Sequence, residues 1–266
     1  TLLLQQIEIL KHEIEVFKSL LLNLNLRQQP GAAAFSAVRL SDSKILLEKN
    51  SNQPYPIASV TKLMNAVIVS ENITRGQTIT LTGDMLKPLG QSPTLFTGLN
   101  ISVENLLKAA LIQSSNDAAE ALTFFVSKQN FLALMNQKAK DLGMQNTVFA
   151  DPHGLSSANR STASDLVKLM SYIYNQRPEI LQTTKNNDFC LPDATGRQLK
   201  FQNVNNFYPL SEFIGGKTGY LIEAKQTLAS VFNINGEPTA IILLYSDNRQ
   251  ADAFAILNQL NPSKPR

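Results

Sequence analysis

Pro56-Ile57-Ala58-Ser59-Val60-Thr61-Lys62-Leu63-Met64 sets a serine at the start of an apolar helical stretch, with a lysine three residues on. That spacing puts both side chains on one helix face, so ammonium and hydroxyl can meet. The helix N-terminus adds a favourable field for an alkoxide. Lys62 serves as a base only when partly neutral, which requires burial or a neighbouring cation to lower its pKa. The plainer reading is a capping serine beside an exposed lysine, and the segment alone favours that reading.

Two later segments change the balance. Ser114-Ser115-Asn116 follows Ala109-Ala110-Leu111-Ile112 and falls between two helical stretches. A loop there can aim Ser114 and Asn116 into a cleft, the hydroxyl relaying a proton and the amide holding a carbonyl. The same residues suit a helix N-cap before Ala118-Ala119, and both readings can hold together. Gly215-Gly216-Lys217-Thr218-Gly219 precedes Tyr220 and a β-rich run. Its glycines allow close backbone approach by an extended ligand. Lys217 and Thr218 would bind a carboxylate, and Lys217 is the candidate cation beside Lys62. Next to Gly219, the Tyr220 backbone N–H would join that of Ser59 in an oxyanion hole. A Gly-rich turn with a solvated lysine is the plainer alternative.

Order and context separate these segments from their copies. Ser41 and Lys44 have the same spacing but lie about a Ser41-Asp42-Ser43 turn, between runs 33–40 and 44–49 that read as a β-hairpin. Ser246-Asp247-Asn248 follows a strand-like run on the wrong side of Lys217. Lys-Thr-Gly occurs once. Helices are predicted over 58–71, 103–113, 117–126, 130–142, 162–175 and 251–260. Runs 227–233 and 239–245 about Asn235-Gly236 predict a second hairpin. Strands at both ends around a helical middle imply an α+β domain, its sheet joining the chain ends and a helical lobe inserted between them.

The 266 residues include 43% apolar and 17% charged side chains, an ordinary globular balance. A net charge of +3 with dispersed basic residues argues against nucleic acid. His12 and His153 are the only histidines, and no Gly-x-Ser-x-Gly occurs, which excludes a Ser-His-Asp hydrolase and leaves no zinc ligand set. No metal or cofactor is expected. Cys190 reads as a small apolar residue beside Phe189 and Leu191. No stretch is long enough to span a membrane. The chain starts at Thr1 rather than Met, so a signal or membrane anchor is expected upstream.

Residues 1–29 form a separate amphipathic segment and 30–266 the catalytic domain. Leu3, Ile7, Leu10, Ile14, Phe17, Leu21 and Leu24 recur at heptad spacing, so residues 1–27 are a candidate homodimeric coiled coil. A helix lying on its own domain is the equal alternative.

The three segments, in this order, resemble the active-site serine D,D-peptidases, the penicillin-binding proteins. The nearer likeness is to the low-molecular-weight D-alanyl-D-alanine carboxypeptidases. It is carried by Pro56–Met64, Ser114–Ala119, Leu142-Gly143-Met144 with Asn146-Thr147, His153-Gly154-Leu155, Asn203-Val204-Asn205 and Gly216–Tyr220, and it covers residues 33–260. The resemblance implies a β-lactamase/transpeptidase-like fold with a five-stranded antiparallel sheet, flanking helices and a helical lobe. It implies Ser59 as acylated nucleophile and Lys62 as its base. Ser114, Asn116 and Lys217 would complete the site, and Thr218 would line the substrate edge. The substrates would be peptidoglycan stem peptides outside the cytoplasm, with β-lactam antibiotics as covalent inhibitors. His153 would be a structural loop residue. Arg249 falls roughly where family members carry an arginine near the carboxylate site.

Leu221 and Lys225 depart from the family pattern, where Thr and Gly are usual. D,D-endopeptidase action on crosslinks uses the same residues. A class A β-lactamase would need a deacylating glutamate, and Glu179 lies in the right interval without the surrounding pattern. A pseudo-peptidase that only binds peptidoglycan is disfavoured because every reactive position is filled.

Overall fold

The computed structural model describes residues 29–87 and 94–262, together with residues 6, 7, 10, 11 and 13–16. Five strands form one antiparallel sheet: β1 (Ala34–Arg39), β2 (Lys44–Lys49), β3 (Phe213–Leu221), β4 (Lys225–Ile234) and β5 (Glu237–Ser246). Their spatial order is β2-β1-β5-β4-β3, so the N-terminal hairpin pairs with the C-terminal strands through β1 and β5. Both predicted hairpins are present, and the sheet joins the chain ends as expected.

The strand residues explain why both faces are covered. In β5, Ala240, Ile242 and Leu244 alternate with Ile241 and Leu243, and all five are buried. Such a strand needs apolar cover on each side. On one face the first set meets the core of the helical lobe. On the other, Ile241 and Leu243 pack with Phe35, Phe207, Phe213 and Phe232 under α7 (Arg249–Leu260). The Phe232 ring meets Phe207 and Phe213 edge-on at 5.8 and 5.6 Å. Gly31 N–H donates to Asp252 in the first turn of α7 at 2.6 Å, tying the start of the domain to its end.

The inserted lobe runs from the end of β2 to the start of β3. It holds α1 (Thr61–Asn72), α2 (Val103–Ile112), α3 (Asn116–Ala121), α4 (Lys128–Asp141), α5 (Ala163–Gln176) and α6 (Pro178–Thr184). The helix predicted over 58–71 begins instead as a 3-10 turn at Ala58–Val60, because Ala58 adopts a φ of +49° outside the helical region. The run predicted over 117–126 divides into α3 and a 3-10 turn at Leu122–Phe125. Sequence reading missed α6, which carries Pro178 in its first turn, and a hairpin of Asp188–Pro192 with Gln198–Gln202. Phe189 and Phe201 stack across that hairpin at 4.4 Å. Cys190, expected to be apolar filling, is exposed because strand alternation turns it away from that stack.

Where described, the leader positions are helical, and Ile7, Leu10 and Ile14 are 39%, 56% and 51% exposed. The rest of the expected 1–27 helix falls outside the described residues. Among the described residues, no helix is long and apolar enough to cross a membrane.

Candidate active site

Ser59, Ser114, Asn116, Thr218, Gly219 and Tyr220 line one cleft of about 270 Å³ between the lobe and the outer edge of β3. Three sequence-distant segments therefore converge, as their order implied. Ser59 sits in the 3-10 turn that leads into α1, and Lys62 lies in the first turn of that helix. Their side chains meet at 3.0 Å.

Lys62 is wholly buried. Its Nζ also contacts the Asn116 amide oxygen at 2.7 Å and the His153 carbonyl at 2.6 Å. Both partners only accept hydrogen bonds. A neutral amine therefore gives them its two protons and turns its lone pair toward the Ser59 hydroxyl. Burial pushes the Lys62 pKa down to about 7, opposed by the charge of Asp151. Of the two expected causes, burial or a neighbouring cation, burial is the one that dominates.

Lys217 is also buried, and its pKa is lowered first by desolvation, then by repulsion from Lys62 and Arg249. Its Nζ donates to the Thr218 carbonyl at 2.9 Å. Arg249 closes the same end of the cleft, donating to the Gly219 carbonyl at 2.9 Å. Thr218 and Arg249 line that end of the cleft while Lys217, 1% exposed, does not, and among the described residues no carboxylate lines it.

The glycines of the third segment act differently from expectation. A Cβ at Gly215 would sit 2.5 Å from the Leu181 carbonyl, and one at Gly216 would sit 2.2 Å from Ser230 Oγ. These two glycines admit α6 and β4, not a ligand. Gly219 serves the site itself, since a Cβ there would lie 2.8 Å from the Ser59 nitrogen. Its absence lets β3 bring the Tyr220 end of its edge against the Ser59 N–H.

In the second segment, labour is divided. Ser115 is the N-cap of α3, accepting from the Ala118 N–H at 3.1 Å. Ser114 has φ +61° and stays in the cleft lining. The cap and the cleft-lining position thus fall on adjacent serines.

Sequence reasoning missed the loop behind Lys62. Asp151 accepts from the backbone N–H groups of His153 at 2.9 Å and Ser156 at 2.6 Å, and from the Asn159 side chain at 2.8 Å. Burial works to raise the Asp151 pKa, but the His153 imidazole and these donors hold it well below the usual range. The loop is pinned to α1 by Asn65, whose amide donates to Pro152 and Ala119. Asn65 lies three residues beyond Lys62 on the same helix, the one signal available in sequence. His153 is thus a buried structural residue whose carbonyl, not its ring, reaches Lys62.

The decoys fall elsewhere. Ser41 bonds Glu237 in the first hairpin, and Ser246 donates to Asp252. Glu179 pairs with Arg75 at 2.9 Å and does not line the cleft, so it offers no deacylating carboxylate. At the departure after Gly219, Lys225 has φ +51°, where glycine is favoured. Its ammonium pairs with Asp247 at 2.8 Å and lies 4.5 Å from the Tyr245 ring centroid.

Comparison with known proteins agrees with this geometry. A family model described as D-alanyl-D-alanine carboxypeptidase matches residues 25–248. The chain is 33% identical over 236 residues to a D-alanyl-D-alanine endopeptidase of Haemophilus influenzae, covering 84% of this chain and 77% of that protein. It is 31% identical over 221 residues to the D-alanyl-D-alanine carboxypeptidase DacF of Bacillus subtilis, covering 79% of this chain but 56% of DacF. A penicillin-binding protein of Listeria monocytogenes in its cefotaxime-bound form superposes with a TM-score of 0.74 at 25% identity, over 88% of this chain and 97% of that one.

Proposed function

The chain belongs to the D-alanyl-D-alanine carboxypeptidase family, and on that premise we propose that Ser59 attacks the D-Ala-D-Ala peptide bond of peptidoglycan stem peptides. The enzyme is a serine-type D-Ala-D-Ala carboxypeptidase of the penicillin-binding class, acting outside the cytoplasm where its polymer lies. The observation that carries the proposal is Lys62. It is a buried amine 3.0 Å from Ser59 Oγ, with its other contacts satisfied by two carbonyl oxygens.

The substrate adds along the open edge of β3 as an extra strand. Lys217, Thr218 and Arg249 hold the terminal carboxylate. The scissile carbonyl then lies between Ser59 Oγ and the N–H groups of Ser59 and Tyr220, which stabilise the oxyanion beside Gly219. Lys62 takes the Ser59 proton as the ester forms. Ser114 relays a proton to the departing D-Ala amine, and Asn116 steadies both Lys62 and the acyl chain. Water hydrolyses the ester. A β-lactam carries an amide and a neighbouring carboxylate in the same relation, so it acylates Ser59 and stays attached.

Labelled penicillin tests the reading. The folded protein should gain one adduct on Ser59, and Ser59→Ala should gain none. A folded wild-type protein that takes no label overturns it. Dimerisation through residues 1–27 is a finer part of the proposal, supported by the heptad spacing and the exposed Ile7, Leu10 and Ile14. Light scattering of the protein with and without that segment checks it.

A further inference from the structure

Lys62 takes its two accepting partners from separate elements. The Asn116 amide oxygen comes from α3, and the His153 carbonyl from the loop beyond Asp151. The direction of the Lys62 lone pair depends on how these two elements sit against each other. Asn65 ties them once, donating from α1 to the Ala119 carbonyl of α3 and the Pro152 carbonyl of the loop. One amide is a pivot, about which the loop can still turn. A second tie is needed to fix the separation.

Glu120 supplies it. It follows Asn116 by four residues on α3, which puts both on one helix face. The side chain is 7% exposed. Its Oε1 pairs with Lys128 at 2.6 Å, and its Oε2 lies 3.6 Å from His153 Nε2. On the other side of the ring, Nδ1 lies 3.1 Å from Asp151 Oδ1 and 3.3 Å from the Leu155 N–H. The carboxylate is the nearer partner and the charged one, so the Nδ1 proton is directed at it. A ring protonated at both nitrogens then meets a carboxylate at each, one from the helix of Asn116 and one from its own loop. Lys128 balances the second negative charge.

Stability alone gives no reason for a carboxylate here. Glu120 Oε2 is buried and accepts no hydrogen bond among the described residues. An oxygen in that state is destabilising, and an apolar side chain of similar volume would fill the space at no loss or at a gain. Glu120 is absent from the cleft lining, so it does not touch substrate. We propose that Glu120 is a positioning residue for the base. Acting through the His153 ring, it holds the His153 carbonyl and the Asn116 amide where they turn the Lys62 lone pair onto Ser59. The inference rests on the acyl-enzyme reading of Ser59 and adds a residue that the three motifs do not contain.

Glu120→Met tests it, together with His153→Ala and the double variant. Stopped-flow acylation by a chromogenic β-lactam, over a range of concentrations and pH, separates the binding constant from the acylation rate. Glu120→Met should lower the rate at saturation by about tenfold and leave the binding constant within about twofold of wild type. The rise through pH 7 should stay in place, because burial and Asp151, which set it, are untouched. The unfolding midpoint should hold or rise. His153→Ala should show the same split, and the double variant should lose no more than about tenfold, since one contact cannot be lost twice. A Glu120→Met rate equal to that of wild type, a loss confined to binding, a loss that tracks the unfolding midpoint, or single losses that multiply in the double variant overturns the proposal. Where Glu120→Met does not fold, the His153→Ala split decides. A wild type that is not acylated defeats the acyl-enzyme reading beneath, while an acylated wild type with an unaffected Glu120→Met defeats the bridge alone.

Discussion

The two edge strands of the sheet make an instructive pair. β2 carries Lys44, Glu48 and Lys49 exposed along its length. Charges on an edge discourage another chain from pairing with it. β3, at the opposite end, is buried over most of its length and has glycines at 215, 216 and 219. It faces the cleft with Thr218, Gly219 and Tyr220 in the lining, while Lys217 is buried. One sheet thus has an edge guarded by charge and an edge along which the proposed substrate adds as a strand.

Lys62→Ala should break the open edge most severely, lowering penicillin acylation by about 10²- to 10⁴-fold, the range of a general base. Stopped-flow acylation of a chromogenic β-lactam measures this, with circular dichroism to confirm the fold. Gly219→Ala attacks the geometry. Its Cβ would lie 2.5 Å from Thr227 Oγ1 and 2.8 Å from the Ser59 nitrogen, so β3 must move outward. Acylation should fall by about 10²-fold, and denaturant unfolding should show a loss of about 1–3 kcal/mol.

The next effect is one of pH. In the proposed mechanism Lys62 reacts as the neutral amine, and burial brings its pKa down to about 7. The acylation rate should therefore rise as pH increases through 7 and level off above it. A rate that falls over that interval would show that the protonated amine is the active form. The smallest effect on chemistry belongs to the closed edge. Replacing Lys44 and Glu48 with Val should leave acylation within about twofold of wild type, because neither residue approaches the cleft. Size-exclusion chromatography should nevertheless show self-association through the unguarded β2 rim.

Much of this was legible in sequence because it rests on local patterns. Alternation about Ser41-Asp42-Ser43 and Asn235-Gly236 marks both hairpins, and helical periodicity marks α1, α2, α4, α5 and α7. The Ser59, Ser114 and Lys217 segments are each recognisable within a few residues. What escaped depends on distance. No local rule says that the His153 carbonyl will accept from Lys62, 91 residues away along the chain. The same is true of Gly215 and Gly216, whose lack of side chains matters only once Leu181 and Ser230 are packed against them. Sequence left two sources open for the Lys62 shift, burial or a neighbouring cation, for the same reason. Burial is a property of the assembled lobe, whereas a neighbouring lysine can be read from the sequence.

The bond from Gly31 to Asp252 spans 221 residues, and β1 finds its partner β5 only near the end of the chain. A ribosome therefore delivers Ser59 and Lys62 long before the strand that carries Lys217, and the sheet cannot close until β5 has emerged. Contacts of such separation are paid for in loop entropy before they return any stability, which slows folding. The lag also keeps the serine unarmed. Until the last strands arrive, the edge of β3 has not been brought against the Ser59 N–H, and the cleft is incomplete.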